Sequence, residues 1–114
     1  MSFKRYVRFC RKIYLSIGRV PIRLKREVTG HIANRLASAL WREVVNIVSE
    51  GIADVDVVDA ALIHGPGLRW AVTGAHMTYH LGGGSGGMSD YLQHLGLSQE
   101  LLWVDQGTPN LSPE

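Results

Sequence analysis

The sequence predicts a mainly α-helical domain, and three observations support this prediction. Residues 27–51 form a long amphipathic pattern, later segments repeat the helical spacing of apolar residues, and glycine, proline and aspartate stand at the ends of these segments. A chain of 114 residues, 46% of them hydrophobic, is ordinary for one soluble globular domain with a modest core. No apolar run approaches the roughly 18 residues that a membrane-spanning helix requires.

The N-terminal segment differs in charge from the rest of the chain. Residues 1–26 contain nine basic residues and no acid, and residues 27–114 contain three basic residues and ten acids, so their formal charges are +9 and −7. Residues 20–26, VPIRLKR, alternate between apolar and basic side chains and predict a short strand. Before them, a predicted amphipathic helix ends at Gly18. Its apolar positions recur every three or four residues and are Phe3, Tyr6, Val7, Cys10, Ile13, Tyr14 and Ile17.

This basic segment allows several interpretations. We favour a solvated helix that packs on a structure outside this sequence, because the predicted strand also lacks a partner. The alternatives are an organelle transit peptide, a membrane-surface helix and a nucleic-acid-binding arm. Nucleic acid is the least favoured, since no recognition module follows the basic stretch. The single Cys10 cannot form an internal disulfide, which fits a reducing compartment, and we expect a cytoplasmic location.

The pattern over residues 27–51 predicts the longest helix. Its apolar residues cover about half of a helical wheel. Thr29 is suited to cap the first turn, and Gly51 is suited to the left-handed residue that ends a helix. Asn34 lies at the rim of the apolar half, about 100° from Ala33. Its amide either binds locally or is offered to a ligand, and the chemistry of asparagine alone favours the local role.

Shorter segments follow the long helix. We expect Trp70, Met77 and Leu81 to be buried. In chain order, the sequence predicts a short helix capped by Asp54, a break at 64–67, a helix at 69–81, a break at 82–87, a helix from near Ser85 and a polar tail from Gln106.

Two motifs point to cofactor chemistry, and neither has the context that this chemistry requires. Residues 82–87, GGGSGG, match G-x-G-x-x-G, but a predicted helix precedes them, so we interpret them as a flexible turn between helices. His76 and His80 have the spacing of two metal ligands on one helix. No carboxylate or cysteine accompanies them in the sequence, and we predict no metal site.

Several motifs in order resemble a known family. They are G-[HF]-I-x-N-R-L at 30–36, E-G at 50–51, D-x-x-D-A at 56–60, G-x-G-L-R-W at 65–70 and the glycine break that follows. Together they resemble the C-terminal domain of the NAD-dependent 3-hydroxyacyl-CoA dehydrogenases, over about residues 18–103. Within that family the chain is most similar to the L-carnitine 3-dehydrogenases, with the lambda-crystallin-like enzymes as neighbours.

The resemblance implies a fold and a reaction. The fold is the helical dimerisation domain of the 6-phosphogluconate dehydrogenase C-terminal-like type, with a residual N-terminal helix and strand. Family members, including enzymes of fatty acid metabolism, oxidise a 3-hydroxyl group by transferring hydride to NAD. Their nucleotide loop and catalytic His–Glu pair lie in a Rossmann domain and have no counterpart in these 114 residues.

The resemblance also implies site residues. Asn34 matches an asparagine that lines the substrate cleft near the nicotinamide. Arg69 is a candidate for holding a carboxylate, and Trp70 and Tyr79 are candidates for the quaternary ammonium of a carnitine-like substrate. A core role remains the preferred interpretation for these last residues.

We therefore predict three parts of the chain: 1–26 as the end of a Rossmann domain, 27–105 as the helical domain and 106–114 as a frayed tail. The expected partners are a second copy of the chain and a 3-hydroxyacyl or carnitine-like substrate. We expect no NAD binding and no turnover by the chain alone, and a truncated or split gene product is the simplest explanation. The alternatives are completion by a separate Rossmann-domain chain, a non-catalytic dimeric small-molecule binding module, and a basic-arm binder of nucleic acid or membrane surfaces.

Overall fold

The computed structural model describes residues 2–112, and within them it contains six α-helices and one short 3-10 helix. The mainly α-helical prediction is confirmed. None of the helices in this range is long and apolar enough to cross a membrane. In chain order they are α1 (Phe3–Ser16), α2 (Ile32–Ser49), α3 (Val55–His64), α4 (Pro66–Trp70), α5 (Ala75–Gly82), the 3-10 helix (Gly84–Gly86) and α6 (Gly87–Asp105).

The chain divides into two compact units, and the boundary falls inside α2, after Asn34. The first unit contains α1, an irregular segment and the first residues of α2. The second unit contains the remainder of α2 and all later helices.

Residues 20–26 do not form the predicted strand, and no residue from 2 to 112 lies in a strand. A strand needs a neighbour with which to exchange backbone hydrogen bonds, and this part of the chain supplies none. The prediction of a strand is therefore wrong for these 114 residues.

The predicted end of α1 is confirmed in detail. Gly18 has a φ of +72°, and its N–H donates to the carbonyl of Leu15 at 3.1 Å. The N–H of Arg19 donates to the carbonyl of Tyr14 at 2.9 Å. A left-handed glycine with these two bonds satisfies carbonyls that a helix end would otherwise leave unpaired.

Helix α2 begins at Ile32, later than the predicted start at Glu27. Gly30 has a φ of +71°, a left-handed conformation that a right-handed helix cannot include. Thr29 therefore does not stand directly before the helix, and its role as the cap of the first turn stays a prediction.

The predicted end of α2 is confirmed. Gly51 has a φ of +67° and donates its N–H to the carbonyl of Val48 at 3.0 Å. The N–H of Ile52 donates to the carbonyl of Ile47, also at 3.0 Å. This is the same pair of bonds that ends α1.

Helices α3 and α4 are joined by a break of one residue. Asp54 precedes α3 as predicted, but its side chain makes no capping hydrogen bond. Gly65 separates the helices, and Pro66 begins α4 directly after it. Proline suits the first position of a helix because its fixed φ is helical and its missing N–H is not needed there.

The helix predicted over 69–81 is two helices in the structure. Gly74, with a φ of +78°, lies in the turn between α4 and α5 and prevents one continuous helix. Trp70 is half-buried, but Met77 and Leu81 are 51% and 64% exposed, so the predicted burial of these two is wrong.

Packing within the second unit is between neighbouring helices. Helix α5 packs against α6, α3 against α4, and α4 against α5. Among the described residues, Val58 is the only buried apolar side chain, with 8% exposure. Helix α6 begins at Gly87, close to its predicted start, and the chain is irregular from Gln106 to Ser112. Residues 113–114 of the predicted tail lie outside the described residues.

Candidate functional site

Asn34 lies near the start of α2, and its side chain is exposed. No hydrogen bond or ion pair joins its amide to another residue between 2 and 112. The local role that asparagine chemistry favours therefore has no contact in the structure to support it. The amide retains two donors and one acceptor for a ligand.

The first unit also contains a small cavity at the start of α2. Its volume is about 160 Å³. Asn34 directly follows the lining residue Ala33 in the sequence but does not itself line the cavity. Most of the wall is apolar. The unpaired amide of Asn34 therefore belongs to the residue that directly follows one side of an apolar recess. The lining residues are Ile22, Leu24, His31, Ile32 and Ala33.

A separate groove lies in the second unit, between the end of α4 and α5. Its volume is about 420 Å³. We call it the Arg69 groove, because Arg69 is the one charged residue in its wall. The guanidinium of Arg69 has no ionic or hydrogen-bonded partner among residues 2–112. The other lining residues are Leu68, Val72, Thr73, Thr78, Leu81 and Gly82.

Backbone hydrogen bonds fix the turn that forms one end of the Arg69 groove. The N–H of Thr73 donates to the carbonyl of Arg69 at 2.9 Å, and that of Gly74 donates to the carbonyl of Trp70 at 3.3 Å. The Oγ1 of Thr78 donates to the carbonyl of Gly74 at 2.7 Å. The groove is therefore held between α4 and α5 by bonds from both helices.

Trp70 and Tyr79 do not line this groove. Both are half-buried. The ring of Tyr79 lies 5.1 Å from the ring of Tyr91 on α6, centroid to centroid, with an angle of 33° between the ring planes. Tyr91 thus occupies part of the aromatic surface that Tyr79 would offer to an ammonium group. The ligand roles of Arg69, Trp70 and Tyr79 stay predictions.

The glycine-rich segment at 82–87 is closely packed. A Cβ at Gly83 would overlap the backbone of Gly87, and a Cβ at Gly87 would overlap the imidazole of His80. The N–H of Met88 donates to Nδ1 of His80 at 3.1 Å. His80 is thus engaged in the joint between α5 and α6, and no cluster of three possible metal ligands occurs among residues 2–112.

The apolar half of α2 is uncovered over its first turns and half-buried over residues 44–48. Leu36 is 67% exposed and Trp41 is 56% exposed, whereas Leu40 is 38% exposed. Large apolar side chains spaced along one side of a helix are normally buried against another surface. In the second unit, α2 therefore offers an apolar face, which we define as residues 36, 37, 40, 41, 44, 45, 47 and 48.

In the first unit, basic residues border two surface grooves, of about 490 and 520 Å³. Lys4 and Arg8 line both grooves, and Arg11 and Arg23 line the larger one. The residues from 2 to 26 include no acid, so the local field is positive. On the same helix, a hydrogen bond with the Cys10 side chain and the negative charge of its thiolate form raise the pKa of Tyr6.

Sequence reasoning missed two residues of the Arg69 groove, Thr73 and Thr78. Their positions depend on the break at Gly74, which the helical pattern over 69–81 concealed. A glycine between two threonine-containing segments was the available signal, because glycine is the residue that adopts a positive φ without strain.

Comparison with known proteins agrees with these motifs. The sequence profile of the family described as "3-hydroxyacyl-CoA dehydrogenase, C-terminal domain" matches residues 30–105, more than half of the chain. The match includes all of α2 to α6.

Individual relatives give the same result. An L-carnitine dehydrogenase of Bacillus cereus is 44% identical over 103 residues, covering 90% of this chain and 32% of the relative. That of Streptomyces griseus is 46% identical over 100 residues, covering 88% and 30%. That of Pseudomonas aeruginosa is 39% identical over 106 residues, covering 93% and 33%. The chain thus spans about a third of the length of the curated relatives it matches.

The helical architecture, the ordered motifs from Gly30 to the glycine-rich segment and the profile match agree with one another. The chain belongs to the 3-hydroxyacyl-CoA dehydrogenase C-terminal domain family.

Proposed function

We propose that this chain positions the substrate and forms the dimer contact for an NAD-dependent oxidoreductase that oxidises a 3-hydroxy compound. L-Carnitine is the substrate that the relatives' names suggest, and a 3-hydroxyacyl thioester is the substrate that the family description suggests. Hydride transfer needs a nucleotide-binding domain and a general base, which these 114 residues do not supply. We expect the chain alone neither to bind NAD nor to turn over.

The observation that carries the positioning role is the unpaired amide of Asn34. A carboxamide can donate to a substrate oxygen and accept from a hydroxyl at the same time. Its place near the start of α2 keeps it on a rigid element, which limits the loss of side-chain freedom on binding. In the proposed enzyme, Asn34 would orient the substrate while a base from the nucleotide-binding domain takes the proton of the 3-hydroxyl group, and NAD, when bound there, would accept the hydride.

The observation that supports dimerisation is the apolar face of α2. Two copies of a long apolar face can bury each other across a two-fold axis, since a symmetric contact uses the same patch on both subunits. Burial of exposed Leu and Trp side chains is worth about 25 cal/mol for each Å² removed from water. We therefore assign this face to the contact between subunits.

A reconstitution experiment tests the proposal. The part of the Bacillus cereus relative that precedes its matched region is expressed separately and mixed with this chain. NADH formation is then followed with L-carnitine and with a 3-hydroxyacyl thioester. We expect NADH from the mixture with one of the two substrates and none from either chain alone.

Variants of this chain assign the effect to Asn34. Asn34→Ala is expected to lower kcat/KM of the mixture by about 10- to 100-fold, the usual cost of losing one positioned hydrogen-bonding group. Ser38→Ala, an exposed position on the same helix, is the matched control and should leave kcat/KM unchanged. A complex that forms but makes no NADH with either substrate contradicts the enzymatic role. Saturable carnitine binding without any response to nucleotide would instead identify a non-catalytic binding module.

A second candidate function, binding to anionic surfaces, has one observation in its favour. Basic residues border the two grooves of the first unit, and no acid offsets them between residues 2 and 26. Binding of this kind weakens steeply as salt rises. Salt-dependent retention on DNA or on anionic vesicles, lost on deleting residues 1–19, would support it, and retention that survives the deletion would contradict it.

A further inference from the structure

The Arg69 groove combines one charge with an otherwise uncharged wall. Arg69 supplies a guanidinium that no described residue neutralises. Leu68, Val72 and Leu81 supply apolar surface, and all three are more than half exposed. An arginine binds a carboxylate through two parallel hydrogen bonds, and apolar side chains favour a hydrocarbon chain. The wall therefore matches a ligand with one anionic end and one apolar end.

The same wall excludes a cationic ligand end. A quaternary ammonium is bound by carboxylates or by the faces of aromatic rings. The seven lining residues include neither an acid nor an aromatic residue, and Arg69 would repel a cation. A betaine such as carnitine could place its carboxylate here, but its ammonium would find no favourable contact.

The groove is also formed before a ligand binds. The turn at its end is fixed by the bonds from Thr73 to Arg69 and from Thr78 to Gly74. The Thr73 hydroxyl makes no hydrogen bond with another residue between 2 and 112 and can donate to a carboxylate oxygen beside the guanidinium. Little ordering of the backbone is then required on binding.

We propose that the Arg69 groove binds an aliphatic monocarboxylate, with the carboxylate on Arg69 and Thr73 and the alkyl chain against Leu68, Val72 and Leu81. This goes beyond the proposed function, which gives the Arg69 groove no role. It makes the three apolar residues determinants of chain length, and it favours an aliphatic carboxylate without an ammonium group over a betaine at this position.

A titration of the 114-residue chain tests the proposal without any enzymatic readout. Acetate, butyrate, hexanoate and L-carnitine are titrated separately while backbone amide shifts are followed by NMR. We expect shifts at residues 68–73 and 78–82, and affinity that rises about 2- to 4-fold for each added methylene, as partial to full burial of a methylene predicts. Carnitine should bind more weakly than hexanoate. The binding of these saturated acids does not depend on the activity of the reconstituted enzyme. Failure of one proposal can therefore be distinguished from failure of the other.

Variants distinguish a specific site from general binding. Arg69→Gln should weaken hexanoate binding by at least about 10-fold, the loss of one charge-assisted pair. Leu81→Ala should flatten the dependence on chain length and leave acetate affinity unchanged. Arg42→Gln removes an exposed arginine on α2 and serves as the control.

Three results would overturn the proposal. One is hexanoate binding that Arg69→Gln does not weaken, and another is carnitine binding at least as tight as hexanoate. The third is no shift at the groove at millimolar acid. If no shift is seen, sedimentation of Val72→Asp shows whether the groove has another use. Loss of a dimer in this variant would assign the groove to a contact between copies.

Discussion

Two regions of the molecule differ in how closely they are packed. These are the joint between α5 and α6, and the apolar face of α2. At the joint, glycines allow backbone and side chains of the same chain to approach closely, and His80, Gly87 and Met88 are in direct contact. On the first half of the α2 face, Leu36 and Trp41 are more than half exposed, and Leu40 is 38% exposed. The joint is thus packed within one copy, whereas the α2 face is the surface that we propose for the contact between subunits.

Gly87→Ala should cause the largest loss of stability, because it disturbs the joint between α5 and α6, which is closely packed within one copy. Gly87 has a φ of +60°, and an added Cβ would overlap the imidazole of His80. The ψ of Gly87, −139°, lies outside the left-handed helical region, in a conformation that residues other than glycine rarely adopt. Backbone strain there costs about 1–3 kcal/mol and overpacking about 1–3 kcal/mol, so we expect a loss of about 3 kcal/mol in the free energy of unfolding. Urea denaturation followed by circular dichroism measures it.

Gly84→Ala is the matched control for this change. Gly84 has nearly the same φ, +62°, but nothing lies within 4 Å of an added Cβ. It should cost only the backbone strain, about 1–2 kcal/mol. Equal losses in the two variants would show that the imidazole of His80 moves away from the added methyl group without cost, contrary to a tightly packed joint.

Leu40→Asp should have the next largest effect, on dimerisation, because it alters the apolar face of α2 that we propose for the contact between subunits. A carboxylate in the middle of the α2 face would be buried without a partner in a dimer. We expect the dissociation constant of the dimer to rise at least about 100-fold, which corresponds to about 2.7 kcal/mol. Sedimentation velocity across a range of concentrations measures this constant.

Arg42→Asp introduces the same carboxylate on the opposite side of α2 and is the control. It should leave the dissociation constant nearly unchanged, since exposed charges away from a contact contribute little. A Leu40→Asp variant that dimerises as well as the unaltered chain would place the subunit contact elsewhere.

The sequence predicts features that depend on neighbouring residues better than features that depend on packing. The ends of α1 and α2 at Gly18 and Gly51 follow from the conformation that glycine alone adopts easily, and both are confirmed. The late start of α2 at Ile32 was missed, because the apolar pattern continues through Gly30 while the backbone does not.

The glycine-rich segment and the Arg69 groove show what the sequence conceals. A run of glycines is typical of a flexible turn, and only the contacts of Gly83 and Gly87 show a packed joint. The groove depends on the break at Gly74, because one helix through that position would place Thr73 and Thr78 differently. For Asn34, the motif implies a role, and the structure adds the finding that its amide is unpaired.

Gly51→Ala should give the smallest effect and sharpens the comparison between the two regions. Gly51 has a φ of +67° and open space around an added Cβ, so only backbone strain of about 1 kcal/mol is expected. The strain acts on the bond from the Ile52 N–H to the Ile47 carbonyl. Since open space surrounds Gly51, the strain should open the end of α2 locally, and hydrogen exchange at Ile52 should be about 5-fold faster. The amide of Tyr91 in α6 is the internal control. Equal acceleration at both amides would mean that the end of α2 opens only when the α5–α6 joint unfolds, contrary to the separation of the two regions.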